Sequence, residues 1–343
     1  MKAISPNQGH DKTGKSRVNV GFHEKSTFLK KLRIRLIKGG LKPRYWWYRL
    51  RWNYCPKLHI VPKFPLHLII ELTNACNLSC IHCSRPVKNE NRMLDYESVK
   101  GFIDEAAKYH LPSLLLSYGG EVFLYKDTLR TIEYASDKKC FLEISIVTNG
   151  TLMLPESADA ILGSGLTQIV FSVDALSSEK YEMIRVGADY EKTMNNINYF
   201  LKRKKKLKKK RPLVRIQMVG MNINREEIED FVKYWELKVD MVTVNDYIYS
   251  SDSPEDFSLD RKFSNKIHEC KSKDPCAQLW QRFAITANKK ISLCNNDYNI
   301  GNKSDRSIYE WWHSDELNQI RKAHMKGQLD TLENCNDCPF RYL

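Results

Sequence analysis

Three things are missing from this sequence of 343 residues. No stretch stays apolar for the ~20 residues that a membrane-spanning helix needs, so a helical span is excluded. No secretory leader is legible: the first apolar run comes late and is broken by lysines and arginines. Acidic residues are almost absent from the first 65 positions, where sixteen Lys and Arg face only Asp11 and Glu24. That segment accounts for the whole net charge of +14, so the remaining 278 residues balance to zero. The basic character belongs to an N-terminal arm, not to the body. Ten cysteines without an export signal predict reduced thiols and metal binding rather than disulfides, in a reducing cytoplasm. The 42% hydrophobic share is ordinary for a chain with a packed core.

What is present centres on residues 71–83, ELTNACNLSCIHC. The apolar run from Leu66 to Ile70 reads as a buried strand, so Cys76, Cys80 and Cys83 lie in the loop leaving its end. Three thiols cannot pair as disulfides without one left over. They do not complete a four-ligand zinc site by themselves. A [4Fe–4S] cube normally takes four cysteines, so a loop offering three leaves one iron open to a substrate. A zinc knuckle or three unrelated thiols are the alternatives.

Apolar strands alternate with helical segments after Leu66. The strands read as 66–72, 113–117, 143–147, 168–173, 214–219 and 241–244. The helices read as 96–109, about 128–136, one near Pro155, and 190 to about 206. Asn224 and Glu227 read as a capping box for the next helix. Repeated βα units predict an α/β fold, a parallel sheet closed into a partial (β/α)6 TIM-like barrel with polar residues at the strand C-terminal ends.

C-x3-C-x2-C after the first strand resembles the signature of radical S-adenosylmethionine (SAM) enzymes. In that family SAM chelates the open iron, and one electron cleaves it to methionine and a 5′-deoxyadenosyl radical that abstracts hydrogen. The resemblance implies further roles. His82 would lie near the adenine. Gly119, Gly120 and Glu121 match the "GGE" motif that receives the SAM amino group, and the missing Cβ atoms would let backbone approach a ligand. Val122 stands where the family usually has proline. Asn149, in Thr148-Asn149-Gly150, matches the third-strand motif, and Ser172 and Asp174 match the ribose motif. Arg185 is similar to an arginine that pairs with the SAM carboxylate; an exposed helix arginine is the alternative. A flavodoxin or ferredoxin would donate the electron.

After residue 250 the pattern changes. Ser250 to Asp260 reads as a linker, and Cys270, Cys276, Cys294, Cys335 and Cys338 follow. Their spacing, with Trp311-Trp312 and the charged helix 316–326, resembles the small cysteine-rich domains called SPASM or twitch. The resemblance implies a second, auxiliary [4Fe–4S] cluster on Cys276, Cys294, Cys335 and Cys338, with Cys270 as the substitute ligand. Structural zinc is the alternative. Cys55 and Cys140 read as ordinary buried or free thiols. The expected organisation is thus an extension over 1–65, a core over 66–250 and an auxiliary domain over 251–343.

Two basic regions stay open. Residues 1–23 read as disordered. In 25–54, Phe28, Leu29, Leu32 and Leu36 share one helical face, and Leu41, Tyr45, Tyr48 and Trp52 share another, with Trp46 and Trp47 among basic residues. Packing on the barrel, an anionic membrane surface, and a nucleic acid or peptide partner all suit this arm, with nucleic acid behind the first two. Lys202 to Arg211 reads as a solvated loop, or else an anionic docking patch, on the far side of the barrel. The resemblance implies oxidation or epimerisation of a carbohydrate-type small molecule or lipid-linked glycan, or else modification of a ribosomally made peptide.

Overall fold

The structure, a computed structural model, describes residues 28–83, 91–247, 275–294, 299–303, 305–336 and 338. Cys270, the expected 250–260 linker and the polar stretch 1–23 lie outside them.

Six strands run in parallel: β1 (His67–Ile70), β2 (Ser113–Leu115), β3 (Glu143–Thr148), β4 (Gln168–Ser172), β5 (Leu213–Gly220) and β6 (Met241–Asp246). Leu68, Ile70, Ile169 and Phe171 are fully or almost fully buried, as strands covered on both faces require. The covering helices are α3 (Tyr96–Lys108), α4 (Thr128–Asp137), α5 (Pro155–Gly163), α6 (Ser178–Ile184), α7 (Tyr190–Lys206) and α8 (Ile228–Glu236). In α3, Val99, Phe102, Ile103 and Ala106 form the buried stripe. Asp95 starts that helix by accepting the Ser98 amide at 2.7 Å. This is the expected six-unit partial barrel, with α6 added, a short helix that sequence periodicity did not reveal.

The sheet does not stop at six. β7 (Arg282–Ile285) lies parallel to β1, pairing Leu68 with Phe283, and β8 (Lys290–Ser292) and β9 (Asn299–Asn302) follow antiparallel. The cysteine-rich C-terminal part therefore continues the barrel sheet past β1, in the order β6-β5-β4-β3-β2-β1-β7-β8-β9. Two further helices, α9 (Ile308–Trp312) and α10 (Asp315–Lys326), pack against it. Tyr109 stacks between Phe64 and Tyr309, and Glu105 of α3 accepts the amides of Ile308 and Tyr309. The Trp312 indole donates to the Pro62 carbonyl at 2.8 Å.

The basic arm forms α1 (Phe28–Ile37) and α2 (Pro43–Tyr54), which close the N-terminal mouth of the barrel. Lys38 pairs with Glu143, the first residue of β3, at 2.9 Å. Arg44 donates to the carbonyls of His110 and Cys140, and Gln281 donates to the Trp52 carbonyl at 2.7 Å. Tyr45 and Tyr48 are buried, as a packing face requires. The other predicted face points the opposite way: Leu29, Leu32 and Leu36 are exposed, and so are Leu41, which the spacing predicts on the Tyr45 face, and Trp46, Trp47 and Leu50.

The 202–211 block departs from the solvated-loop reading in its first half only, since residues 207–211 form an exposed turn between α7 and β5. Its first half is the last part of α7, where cations suit the helix dipole. Arg203 pairs with Asp159 at 2.7 Å, Lys204 with Asp240 at 3.0 Å, and Arg211 donates to the Ile37 carbonyl.

Candidate functional site

The cysteine loop is clamped from both sides. Between its thiols, Ser79 and Ile81 donate amides to the carbonyls of Val186 and Ile184 at 2.9 and 3.0 Å. Before them, the Glu121 amide donates to the Ala75 carbonyl at 2.8 Å. A Cβ on Gly120 would stand 2.4 Å from the Thr73 carbonyl oxygen and 2.5 Å from that of Ala75. The close approach predicted for a ligand is therefore made to the cysteine loop itself. Gly119 is equally confined: its amide donates to Glu71 Oε1 at 2.8 Å, and a Cβ would meet that oxygen at 2.6 Å.

Cys76 and Cys80 are half-buried and Cys83 is exposed. Burial pushes the Cys80 thiol up to about 11; Arg185 works against this, and Asp174, Cys83 and Cys76 add to it. The Arg185 Nη1 lies 3.9 Å from the Cys80 sulfur. Among the described residues, no three His, Cys, Asp or Glu groups are drawn close enough together to hold a single metal ion. The donor chemistry of the loop, three soft sulfurs of one short segment with one open to solvent, fits an iron–sulfur cluster.

Behind Cys80 lies a buried charge group. Arg185 follows α6 directly and is almost wholly buried, which overturns the exposed-helix reading. It pairs with Asp174 at 2.7 Å, and His82 Nε2 stands 3.6 Å from the same carboxylate. Burial opposes the Arg185 charge, but Asp174, with Cys80 and Tyr181, raises its pKa. Burial lowers that of His82 against the pull of Asp174. Arg185 Nε and His82 Nδ1 are buried without a hydrogen-bond partner. Such orphaned polar atoms beside a thiol loop fit a polar ligand, and a SAM amino-acid group and base are of that kind.

Other predicted contact residues are held by protein. The Glu121 carboxylate accepts from the Thr148 hydroxyl at 2.6 Å, the Asn149 amide at 2.7 Å and the Phe123 amide at 3.2 Å. Its pKa is raised by burial, which those bonds oppose. The Asn149 side chain donates to Asn77 at 2.9 Å and accepts from Thr151. Ser172 accepts from Gln217 at 3.0 Å. Asn224 and Glu227 are not the capping pair that spacing suggests. Asn224 donates to the carbonyls of Asp174 and Val219, and Glu227 accepts the Leu176 amide and the Ser177 hydroxyl. Both shape the turn that carries Asp174. Glu71, Asn77 and Gln217 were missed as anchors; the first two lie inside the cysteine stretch, and Gln217 breaks an apolar strand.

The second cysteine set lies around Cys276 and His324. Burial pushes the Cys276 thiol up to about 12; the Gln278 amide lowers it, and Cys294 and Cys338 lie near enough to add to it. His324 connects Cys276 to Cys335, accepting the Cys276 amide at 3.3 Å and lying 3.4 Å from the Cys335 sulfur. Tyr118, next to Gly119, donates to the Cys294 carbonyl at 3.0 Å. Cys55 and Cys140 are buried thiols, as expected.

Residues 70–234 match the radical SAM superfamily, and residues 276–339 match the iron–sulfur cluster-binding domain called SPASM. The chain carries a radical SAM domain followed by a SPASM domain. The radical SAM match spans the first cysteine set, and the SPASM match begins at Cys276, after Cys270. A probable GTP 3′,8-cyclase of Methanocaldococcus jannaschii is 29% identical over 169 residues, 49% of this chain and 54% of that protein. An AdoMet-dependent heme synthase of Methanosarcina barkeri is 26% identical over 182 residues, 52% and 48% of the two chains. The chain spans about half the length of the curated relatives it matches. Among solved structures, SuiB of Streptococcus suis bound to S-adenosylmethionine gives a TM-score of 0.61 at 18% identity, covering 77% of this chain and 69% of that one. anSMEcpe with bound AdoMet gives 0.59 at 16%, covering 78% and 86%. These likenesses establish the fold. This radical SAM protein is an enzyme whose cofactors are SAM, a SAM-binding [4Fe–4S] cluster and auxiliary iron–sulfur chemistry in the SPASM domain. No helix among the described residues is long and apolar enough to cross a membrane.

Proposed function

We propose that the enzyme oxidises or epimerises a carbohydrate-type substrate, met as a lipid-linked glycan at an anionic membrane surface. The observation that carries this reading is the pair of exposed, basic and aromatic helix faces at the closed end of the barrel, with the thiol loop at the other end. Cys76, Cys80 and Cys83 would hold the SAM-binding cluster. Arg185 would hold the SAM carboxylate, the backbone at Gly119 and Gly120 the amino group, and His82 would lie against the base. Ser172 and Asp174 would face the ribose. Glu121 and Asn149 act through the turns they fix. Bound SAM and a reduced cluster supply one-electron cleavage and removal of a hydrogen atom from the substrate, and a flavodoxin or ferredoxin supplies the electron. Cys276, Cys294, Cys335 and Cys338 would hold the auxiliary cluster, a site suited to taking the second electron of an oxidation.

A second reading is modification of a ribosomally made peptide. It is favoured by the fold shared with SuiB, which was also solved with its precursor peptide SuiA, at a TM-score of 0.62. α1 and α2 bear on this: their inner face is engaged at the barrel mouth remote from the thiols, so a leader peptide docking there would meet only the outer face.

Deuterium transfer separates the two. Lipid-linked glycans and peptides from cells grown on deuterated sugar or deuterated amino acids are offered to the reconstituted enzyme, and 5′-deoxyadenosine is weighed by mass spectrometry. Deuterium arriving from the glycan fraction is expected; deuterium arriving only from peptide would replace the first reading with the second.

A further inference from the structure

The imidazole of His324 lies between two cysteines of the second set. It sits on α10, is 5% exposed, and has both ring nitrogens aimed at cysteine groups. The Cys276 backbone N–H points at Nδ1 at 3.3 Å, so Nδ1 is the acceptor and carries no proton. The ring proton is then on Nε2, and Nε2 faces the Cys335 sulfur at 3.4 Å. One backbone amide thus fixes the tautomer and with it the direction of the donor. A core histidine that merely satisfies itself would take any nearby acceptor; here both partners belong to one ligand set.

The helix is fixed where this matters. Arg321, one turn earlier, donates from Nε to the Leu279 carbonyl at 3.0 Å and from Nη1 to the Trp312 carbonyl at 2.9 Å. Leu279 is three residues beyond Cys276, so the same helix grips the Cys276 turn twice, through Arg321 and through His324. Gly327, with φ of 70°, ends the helix and turns the chain toward Cys335.

We propose that His324 is a positioning residue for the auxiliary cluster, donating a hydrogen bond from Nε2 to the Cys335 thiolate and raising the reduction potential of the cluster it ligates. This rests on the assignment of Cys276, Cys294, Cys335 and Cys338 as its ligands. Reduction adds negative charge that spreads onto the thiolates. A donor held on one sulfur stabilises the reduced form more than the oxidised form.

The test uses the full chain carrying Cys76→Ala, Cys80→Ala and Cys83→Ala, so that only auxiliary iron remains. His324→Leu removes the donor; His324→Gln keeps an amide able to donate. Iron per chain, the EPR spectrum of the reduced cluster and its midpoint potential are measured. His324→Leu is expected to keep about four irons, shift the potential to more negative values and change the g-values, and His324→Gln to restore most of the shift. Four irons with an unmoved potential in His324→Leu would overturn the proposal. So would loss of iron from both variants, because the ring would then be a ligand or a prop rather than a donor. A triple-cysteine variant that binds no iron before His324 is touched would instead remove the ligand assignment beneath it.

Discussion

Glu71 and Ala287 stand 216 residues apart in the chain, and the carboxylate of the first accepts the amide of the second at 2.8 Å. Its other oxygen accepts the Gly119 amide at 2.8 Å. One buried carboxylate thus ties together the segments that follow β1, β2 and β7, directly beneath the cysteine loop.

Removing it would leave two amides without their acceptor. Glu71→Ala should cost about 2–6 kcal/mol, at about 1–3 kcal/mol for each unsatisfied buried group. Glu71→Gln, which keeps one acceptor oxygen, should cost less. Anaerobic denaturant titration of the reconstituted protein measures both. A loss under about 0.5 kcal/mol, the size of an ordinary surface change, would mean that the carboxylate is not what joins the segments.

Iron content reports the first cluster. The reconstituted protein should bind about eight irons and the Cys76/Cys80/Cys83→Ala variant about four, with no 5′-deoxyadenosine formed from SAM. Continued SAM cleavage by that variant would show that the open-iron cluster lies elsewhere.

Arg185 and Asp174 give a paired test. Arg185→Gln leaves Asp174 buried without its partner, so stability should fall by about 3 kcal/mol, and SAM should bind at least about tenfold more weakly. Adding Asp174→Asn should recover part of the stability and none of the affinity. Calorimetric SAM binding alongside thermal melts separates the two effects; full recovery of affinity in the double variant would confine Arg185 to a structural role.

The strands were legible because their apolar runs are local, and each lies within two or three residues of its expected place. The thiols were legible through their spacing. The rest depended on distant partners. Nothing near Arg282 says that β7 will pair with β1, because the pairing is set by which apolar edge stands open when the barrel is built. Asn224 and Glu227 show the limit from the other side: three-residue spacing is right for a cap, yet Asp174 and Leu176, some fifty residues away, supply better partners. His324 stands in an ordinary amphipathic helix, and only the fold sets it between Cys276 and Cys335.

The arm should loosen in acid. The carboxyl of Glu143 normally titrates at 4.5; burial would raise it, but Lys38 beside it, together with His67 and Arg49, outweighs burial and holds it at about 2. A depressed folded value means that the stabilisation is fully present above about pH 4.5 and lost as the pH falls toward 2. Lys38→Met should cost about 1–3 kcal/mol at pH 7 and progressively less as the pH drops through that window. A cost independent of pH would show that the loss comes from packing of the lysine stem.

Vesicle binding tests the outer face of the arm. Cutting at Pro56 would uncover Glu143, His67 and the strand ends above them, and aggregation is the expected result. Leu32→Ser, Trp46→Ser and Trp47→Ser alter exposed side chains instead. The intact protein should sediment with anionic vesicles at low salt and detach as salt rises, each basic residue near the surface contributing about 1 kcal/mol. The triple-serine variant should sediment at least about tenfold less while cleaving SAM normally. Equal sedimentation of the two would remove the membrane reading.

The place of β7 beside β1 also sets a timetable for synthesis. β1 emerges from the ribosome with one edge destined for β2 and the other for a strand about 215 residues later, between Ile70 and Ile285. At roughly 5–20 residues per second, that edge stays open for about 10–40 s. Over the same interval Trp52 waits for Gln281, while Lys38 and Arg44 meet Glu143, His110 and Cys140 earlier. An unpaired apolar strand next to three reduced thiols is a strong invitation to wrong pairing and to oxidation. Slow translation or oxygen exposure during expression should therefore reduce the yield of folded protein more than heat applied afterwards.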